Sequence, residues 1–221
     1  MMCSPNQDES IDDLDSFKII QKKNGYRFSA DSVLLANFVL PLKPSDSVID
    51  LGTGSGVIPL ILAQKSAALN IVGIEIQEDL ANIAKRNVEL NNLSERVKII
   101  KSDFRTLASF PSTEEKGWKG LFSVVISNPP YGKPGTGRIS SSSQKAMAKM
   151  EFTCTLNDLV LASKCLVAEA GRIVYIYPVT RLEEMLSALM EHKLEVCRLE
   201  FVQPEPYCRV KRFLVEAAMK E

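Results

Sequence analysis

A single histidine, His192, is the most informative shortage in this chain of 221 residues. One imidazole cannot build a His-based metal cluster, and it makes a histidine-dependent triad a poor expectation. Its place near a predicted helix C-terminus suits a structural role, because positive charge is favoured there. The five cysteines (Cys3, Cys154, Cys165, Cys197 and Cys208) form no CxxC pair. Their odd number argues against a disulfide framework or a zinc site and for a reducing, cytoplasmic compartment. No apolar run approaches the roughly 18 residues of a membrane span. The acidic, polar start MMCSPNQDESIDDLDS is not a secretory signal. Net charge is zero, with 27 basic and 27 acidic residues, so the global balance gives no support for a dedicated nucleic-acid binder. The one tryptophan, Trp118, precedes an apolar strand and reads as a lid or core residue.

What is present suits a globular domain: 45% hydrophobic and 24% charged residues. Charge is unevenly placed. Residues 1–17 carry five acids and no Lys or Arg, whereas residues 132–149 carry Lys133, Arg138, Lys145 and Lys149 and no acid. Residues 1–14 read as a flexible acidic tail, and 15–221 as one domain. In FKIIQKKNGYRFS two β-prone runs flank Asn24-Gly25, a hairpin signal because both residues tolerate positive φ. A helix is expected from Ala30 to Leu40, stopped by Pro41 and Pro44.

From residue 47 apolar strands alternate with helices. Strands are expected at 47–52, 70–76, 97–103, 122–127 and 172–178, followed by LEVCRLEFVQP and RFLVEAA. Helices are expected at Val57–Ala68, Asp79–Asn91, Leu156–Ala168 (ending at Gly171) and Leu182–His192. The pattern predicts a doubly wound α/β fold with a mostly parallel seven-stranded sheet and helices on both faces. The last two strands have no helix between them, so at least one runs antiparallel.

Asp50-Leu51-Gly52-Thr53-Gly54-Ser55-Gly56 follows the first of these strands. Glycines allow a tight turn and close approach of a ligand. The dinucleotide pattern G-x-G-x-x-G fails, because Val57 holds the third glycine position. Asp50 would repel a pyrophosphate but would welcome an ammonium group, so S-adenosylmethionine (SAM) suits the loop better than NAD. Glu75 ends the second strand, where a carboxylate can accept both hydroxyls of a ribose. Ile76 follows it. Asp103 and Phe104 end the third, offering a hydrogen-bonding group and an apolar face for an adenine. Any one of these acids could be a simple helix cap.

The fourth strand ends in Asn128-Pro129-Pro130-Tyr131. Proline lacks an N–H, fixes φ and pushes the preceding residue into an extended conformation. The segment is therefore rigid and rich in carbonyl acceptors, with an added amide and an aromatic face. It matches a planar group bearing an NH2: two acceptors take the N–H bonds while the ring stacks. An adenine reaches such a site unstacked or from a single-stranded loop. Alignment and electrostatics carry the rate, so no histidine base is required. The plain alternative is a double proline that ends a strand. The basic Gly/Ser-rich stretch after Tyr131 could meet phosphates, or be a solvated loop.

DLGTGSG, the acid of VGIEI, KSDF and ISNPPY resemble the motifs of class I SAM-dependent methyltransferases that modify amino groups. YRFSADSVLLANF and the two last strands are similar to the bacterial tRNA-valine adenine-N6 methyltransferases, and the likeness runs over roughly residues 15–219. The resemblance implies a Rossmann-like domain with SAM as cofactor and RNA, in particular tRNA, as partner. It implies a monomer or weak dimer without metal or membrane association. It puts Asp50, Gly52, Gly54 and Gly56 around the methionine part, Glu75 on the ribose, and Asp103 and Phe104 by the adenine, with Thr53 and Ile76 also at the cofactor. Phe28, Ser29 and Asp31 close over the cofactor. Asn128, Pro129, Pro130 and Tyr131 hold the target amine, with Asn128 also beside the cofactor. The chain reads Lys149-Met150-Glu151 where many relatives carry an Arg-His-Glu-like stretch. Rival readings are a protein-glutamine N5-methyltransferase of release factors, an rRNA guanine-N2 methyltransferase and a non-catalytic RNA-binding scaffold. The first usually carries a helical substrate domain before the glycine loop, whereas only 49 residues precede Asp50 here.

Overall fold

The structure, a computed structural model, describes residues 5–14, 16–25, 27–109, 118–129, 154–203 and 209–220. The chain divides into two compact units, residues 1–104 and 105–221. The fold is a mixed, mostly parallel α/β arrangement with seven strands in its main sheet.

In the first unit, β3 (Ser47–Leu51), β4 (Asn70–Glu75) and β5 (Val97–Lys101) lie in the order β5-β4-β3, all parallel. Helix α2 (Val57–Lys65) connects the first pair and α3 (Glu78–Leu90) the second. Val48, Ile49, Ile71 and Ile74 are all buried, as expected of strands covered on both faces. Helix α2 is buried from Val57 to Ala63, so it shows no amphipathic stripe. Helix α3 does show one: Leu80, Ile83, Ala84 and Val88 face inward, and Glu78 and Asp79 sit in the first turn, where the helix dipole favours acids. Because the three strands are parallel, Leu51, Glu75 and Lys101 end on one edge. This is the edge where open α/β sheets bind ligands.

The N-terminus departs from expectation. Residues 9–14, expected in a flexible tail, form β1 (Glu9–Leu14), paired antiparallel with β2 (Phe17–Lys22). The hairpin therefore pairs Leu14 with Phe17 rather than turning at Asn24-Gly25, which lies beyond β2 with Gly25 at φ 128°. Tertiary anchoring explains the difference. Glu9 is buried against Arg86 of α3, with Nη1 donating to both carboxylate oxygens at 2.8 and 2.9 Å. Phe17, Ile19 and Ile20 are buried as well. Helix α1 (Ala30–Val39) then follows as expected.

In the second unit, β6 (Phe122–Ser127) pairs parallel with β7 (Val167–Pro178). Strand β7 pairs antiparallel with β9 (Arg212–Met219), and β9 antiparallel with β8 (Leu194–Val202). The expected reversal near the C-terminus is present. Helices α5 (Leu156–Leu166) and α6 (Leu182–Glu191) precede β7 and β8, and α4 (Phe104–Ser109) spans the boundary between the units. Helix α5 begins with a capping box between Thr155 and Asp158. Gly171 lies inside β7 rather than ending the helix: a Cβ there would come within 2.9 Å of the Ser123 carbonyl oxygen, so only glycine lets the two strands approach. Strand β8 carries exposed Glu195, Arg198 and Glu200, charges that blunt a sheet edge.

Candidate active site

The first strand-to-helix turn is held to its neighbour by backbone bonds. The N–H groups of Gly52 and Thr53 both donate to the Ile74 carbonyl at 2.9 Å. Gly56 closes the turn onto the Thr53 carbonyl at 3.0 Å, and Leu60 begins the helix on the Gly56 carbonyl at 3.2 Å. Gly52 has φ 79° and Gly56 has φ 84°, both in the region where a Cβ is strained. They differ in surroundings. A Cβ on Gly56 would stand 3.1 Å from that of Ala84, so this glycine lets α3 approach the loop. A Cβ on Gly52 would meet nothing within 4 Å, so this part of the loop faces open space.

Glu75 ends β4 almost fully buried. Its Oε2 accepts the Gly54 N–H at 2.9 Å and its Oε1 accepts the Gln77 N–H at 2.9 Å. Burial raises its pKa, and these backbone donors oppose the rise. Each oxygen retains a further lone-pair direction. Ile76 beside it is 42% exposed, an apolar face next to the carboxylate. Asp103 and Phe104 are half-buried where the chain leaves β5 and enters α4.

Asp50 lies near the end of β3 and is 1% exposed. Neither carboxylate oxygen has a hydrogen-bond partner. Burial pushes its pKa up to about 7; the Thr53 hydroxyl pulls it down, without the geometry of a full hydrogen bond, and the Glu75 charge adds to the rise. A buried carboxylate without a partner is costly unless a ligand supplies one. An ammonium group meets that need. The donor set thus fits SAM: an orphaned acid for its ammonium, open space at Gly52, and a second acid with an apolar neighbour one strand along.

Ser29 is exposed at the start of α1, Phe28 is half-buried, and Asp31 sits in the first helical turn. The Phe28 N–H donates to Gln21 Oε1 at 3.0 Å, which fixes this segment to β2. Asn128 and Pro129 are half-buried directly beyond Ser127, the end of β6. Pro130, Tyr131, Lys133, Arg138, Lys145 and Lys149 fall outside the described residues. Trp118 stacks edge-on against Phe122 with ring centroids 5.6 Å apart, a structural contact. Among the described residues no group of three or more His, Cys, Asp or Glu could hold a metal, and no helix is long and apolar enough to cross a membrane.

Residues 27–149 match the model of the methyltransferase small domain. The chain belongs to that family. It is a SAM-dependent methyltransferase. Its relatives include the tRNA1(Val) (adenine(37)-N6)-methyltransferase of Porphyromonas gingivalis, 31% identical over 90% of this chain and 77% of that protein. The enzyme of the same name from Vibrio campbellii is 29% identical over 91% and 80%. Among solved structures, Pyrococcus horikoshii TYW2 in complex with MeSAdo superposes with a TM-score of 0.64 at 14% identity, covering 96% of this chain and 71% of that one. A geranyl diphosphate C-methyltransferase from Streptomyces coelicolor, bound to S-adenosyl-L-homocysteine, gives a TM-score of 0.61 at 13% identity over 86% and 80%. At such identities these structures establish the fold alone.

One polar residue of this region carries no motif signal. Asn87 is buried on the apolar face of α3 and bonds the glycine loop. Its only trace in the sequence is an asparagine at a core position of an amphipathic helix.

Proposed function

We propose that this methyltransferase acts on the exocyclic N6 amine of an adenine in RNA, specifically tRNA, in the cytoplasm. The observation that carries the reading is the likeness to tRNA1(Val) (adenine(37)-N6)-methyltransferases over about nine-tenths of the chain. The Asn128-Pro129-Pro130-Tyr131 motif supports it, because its residue types suit a planar NH2 group.

In this reading Asp50 faces the cofactor's ammonium and Glu75 its ribose hydroxyls. Ile76 and Phe104 provide the apolar faces for its adenine, with Asp103 bonding the ring edge. Phe28, Ser29 and Asp31 cover it. When bound, SAM supplies an electrophilic methyl group on its sulfonium. Asn128 accepts one N–H of the target amine through its side-chain carbonyl, and a backbone carbonyl of the Pro129-Pro130 pair accepts the other. Both bonds increase electron density on a nitrogen whose lone pair is otherwise delocalised into the ring. Tyr131 stacks on the base and holds it out of its helix. Alignment and preorganised acceptors activate the neutral amine without prior deprotonation; once methylated, the nitrogen is cationic and strongly acidic, and its extra proton passes to solvent. Lys133, Arg138, Lys145 and Lys149 meet the RNA backbone.

The test uses labelled SAM with bulk tRNA, rRNA or a peptide-release factor, followed by digestion. N6-methyladenosine in the tRNA arm supports the proposal. Label in N5-methylglutamine, or in guanine of rRNA, overturns it.

A further inference from the structure

The N-terminal hairpin is tied to the cofactor loop through one side chain. Asn87, fully buried on α3, accepts the Ile20 N–H at 2.6 Å through Oδ1. Its Nδ2 donates to the Ile20 carbonyl at 3.0 Å and to the Ser55 carbonyl at 2.9 Å. Both amide hydrogens are used, and the two donor contacts fix which way the amide points. Ser55 belongs to the loop between Asp50 and Gly56, so Asn87 bonds β2 and the glycine loop at once.

Asn91, one helical turn further, repeats half of this pattern. Its Oδ1 accepts the Lys18 N–H at 3.0 Å, and its Nδ2 donates to the Lys18 carbonyl at 2.7 Å and to the Asn87 carbonyl at 2.7 Å. The geometry has a simple origin. Four residues of helix rise about 6 Å, and two residues of strand advance about 6.6 Å. Asparagines four apart, Asn87 within α3 and Asn91 capping its C-terminus, therefore match backbone groups two apart on β2, and α3 with its cap serves as the partner of the β2 edge that β1 leaves open. Only Asn87 reaches the loop. The chain of bonds then continues outward: Gln21, the neighbour of Ile20, accepts the Phe28 N–H at 3.0 Å and donates to Asp12 Oδ2 at 2.6 Å.

We infer that Asn87 is a positioning residue for the SAM-binding loop, and that the hairpin it grips sets the Phe28–Asp31 segment in register with that loop. The inference rests on the assignment of the glycine loop to SAM.

Calorimetric titration of the full chain with SAM, together with amide hydrogen exchange, tests it. Asn87→Ala is expected to raise Kd roughly tenfold with unchanged stoichiometry, since the Ser55 carbonyl loses its partner. Asn91→Ala is expected to stay within about twofold of wild type, because the hydrogen bonds it removes do not reach the loop. Exchange should accelerate over residues 52–56 in the first variant and over residues 17–20 alone in the second. Gln21→Leu should accelerate exchange at Phe28 and leave 52–56 unchanged. If Asn87→Ala does not fold, Asn87→Ser, with a smaller cavity, carries the same comparison. Equal Kd for wild type and the Asn87 variant, or a reduced stoichiometry at unchanged Kd, overturns the inference, because misfolding lowers the competent fraction and not the affinity. A wild-type protein that binds no SAM removes the cofactor assignment instead. Exchange over 52–56 then decides the positioning role, and unchanged rates there overturn it.

Discussion

Glu75 Oε2 accepts the backbone N–H of Gly54 at 2.9 Å, a bond that joins the end of one strand to the loop that follows another. The same carboxylate also holds the Gln77 N–H. Glu75 is thus a loop anchor before any ligand arrives. Glu75→Ala should destabilise the protein by about 1.5–3 kcal/mol, because the Gly54 and Gln77 N–H groups lose their charged acceptor. SAM affinity should fall as well. Denaturant unfolding and SAM titration check the two effects separately, and normal affinity would remove Glu75 from the cofactor site.

Gly52 and Gly56 share a left-handed backbone but not their surroundings. Gly56→Ala combines backbone strain of about 1–2 kcal/mol with the 3.1 Å approach to Ala84, and should cost more stability than Gly52→Ala. Gly52→Ala carries the backbone strain alone but projects its methyl into open space. It should fold and still bind SAM poorly. Melting temperatures and SAM Kd for both variants test this separation.

Asp50 supplies a pH signature. Its folded pKa, about 7, lies above the ordinary value of 3.8. The folded state therefore holds its proton longer than the unfolded chain does. Its contribution makes stability fall as pH rises from about 4 to about 7, after which the penalty is constant. Asp50→Asn should raise the melting temperature of the SAM-free protein at pH 8 and change it little near pH 4. SAM, with its ammonium, should favour the ionised carboxylate, so wild-type affinity should rise between pH 6 and pH 8. Asp50→Asn should bind more weakly and lose that rise. A wild-type-like pH profile in the variant would assign the effect to another group.

Asn128→Ala should reduce methyl transfer by two orders of magnitude or more while SAM affinity stays within a few-fold. In the proposed mechanism the rate loss would reflect removal of an acceptor at the reacting nitrogen. Single-turnover transfer at saturating SAM, beside a direct SAM titration, measures both. A parallel loss of binding would move Asn128 from the substrate side to the cofactor.

Neutralising Lys133, Arg138, Lys145 and Lys149 together should weaken RNA binding and flatten its salt dependence. Each lost phosphate contact lowers the log–log slope by roughly 0.7–0.9. Binding isotherms between 50 and 200 mM salt read the slope directly, and an unchanged slope returns this stretch to a solvated loop.

The strand–helix alternation from residue 47 onward was legible because buried parallel strands are continuous apolar runs and their ends carry glycine, acid or proline. The residues of the proposed SAM site could be picked out for a related reason. A glycine loop and acids at successive strand ends are local signals, and the fold brings strand ends together whenever the strands are parallel. Asn24-Gly25 misled, because a turn propensity is a weak prior that burial of Glu9 against Arg86 overrides. The β1 strand was hidden by its acids, one of which, Glu9, is charge-paired by an arginine 77 positions away.

The sequence by itself determined the fold class, the glycine loop and the residue types at each strand end, since these follow from periodicity and chain order. Only the tertiary structure decided which of those residues is in need of a partner. Asp50 and Glu75 are both acids at strand ends, yet Glu75 is held by two backbone N–H groups and Asp50 by none. Asn87 stood at a core position of an amphipathic helix, but its partners were unknown until α3 was laid along β2. Hydrogen bonding and desolvation depend on groups far apart in the chain, so no local pattern encodes them.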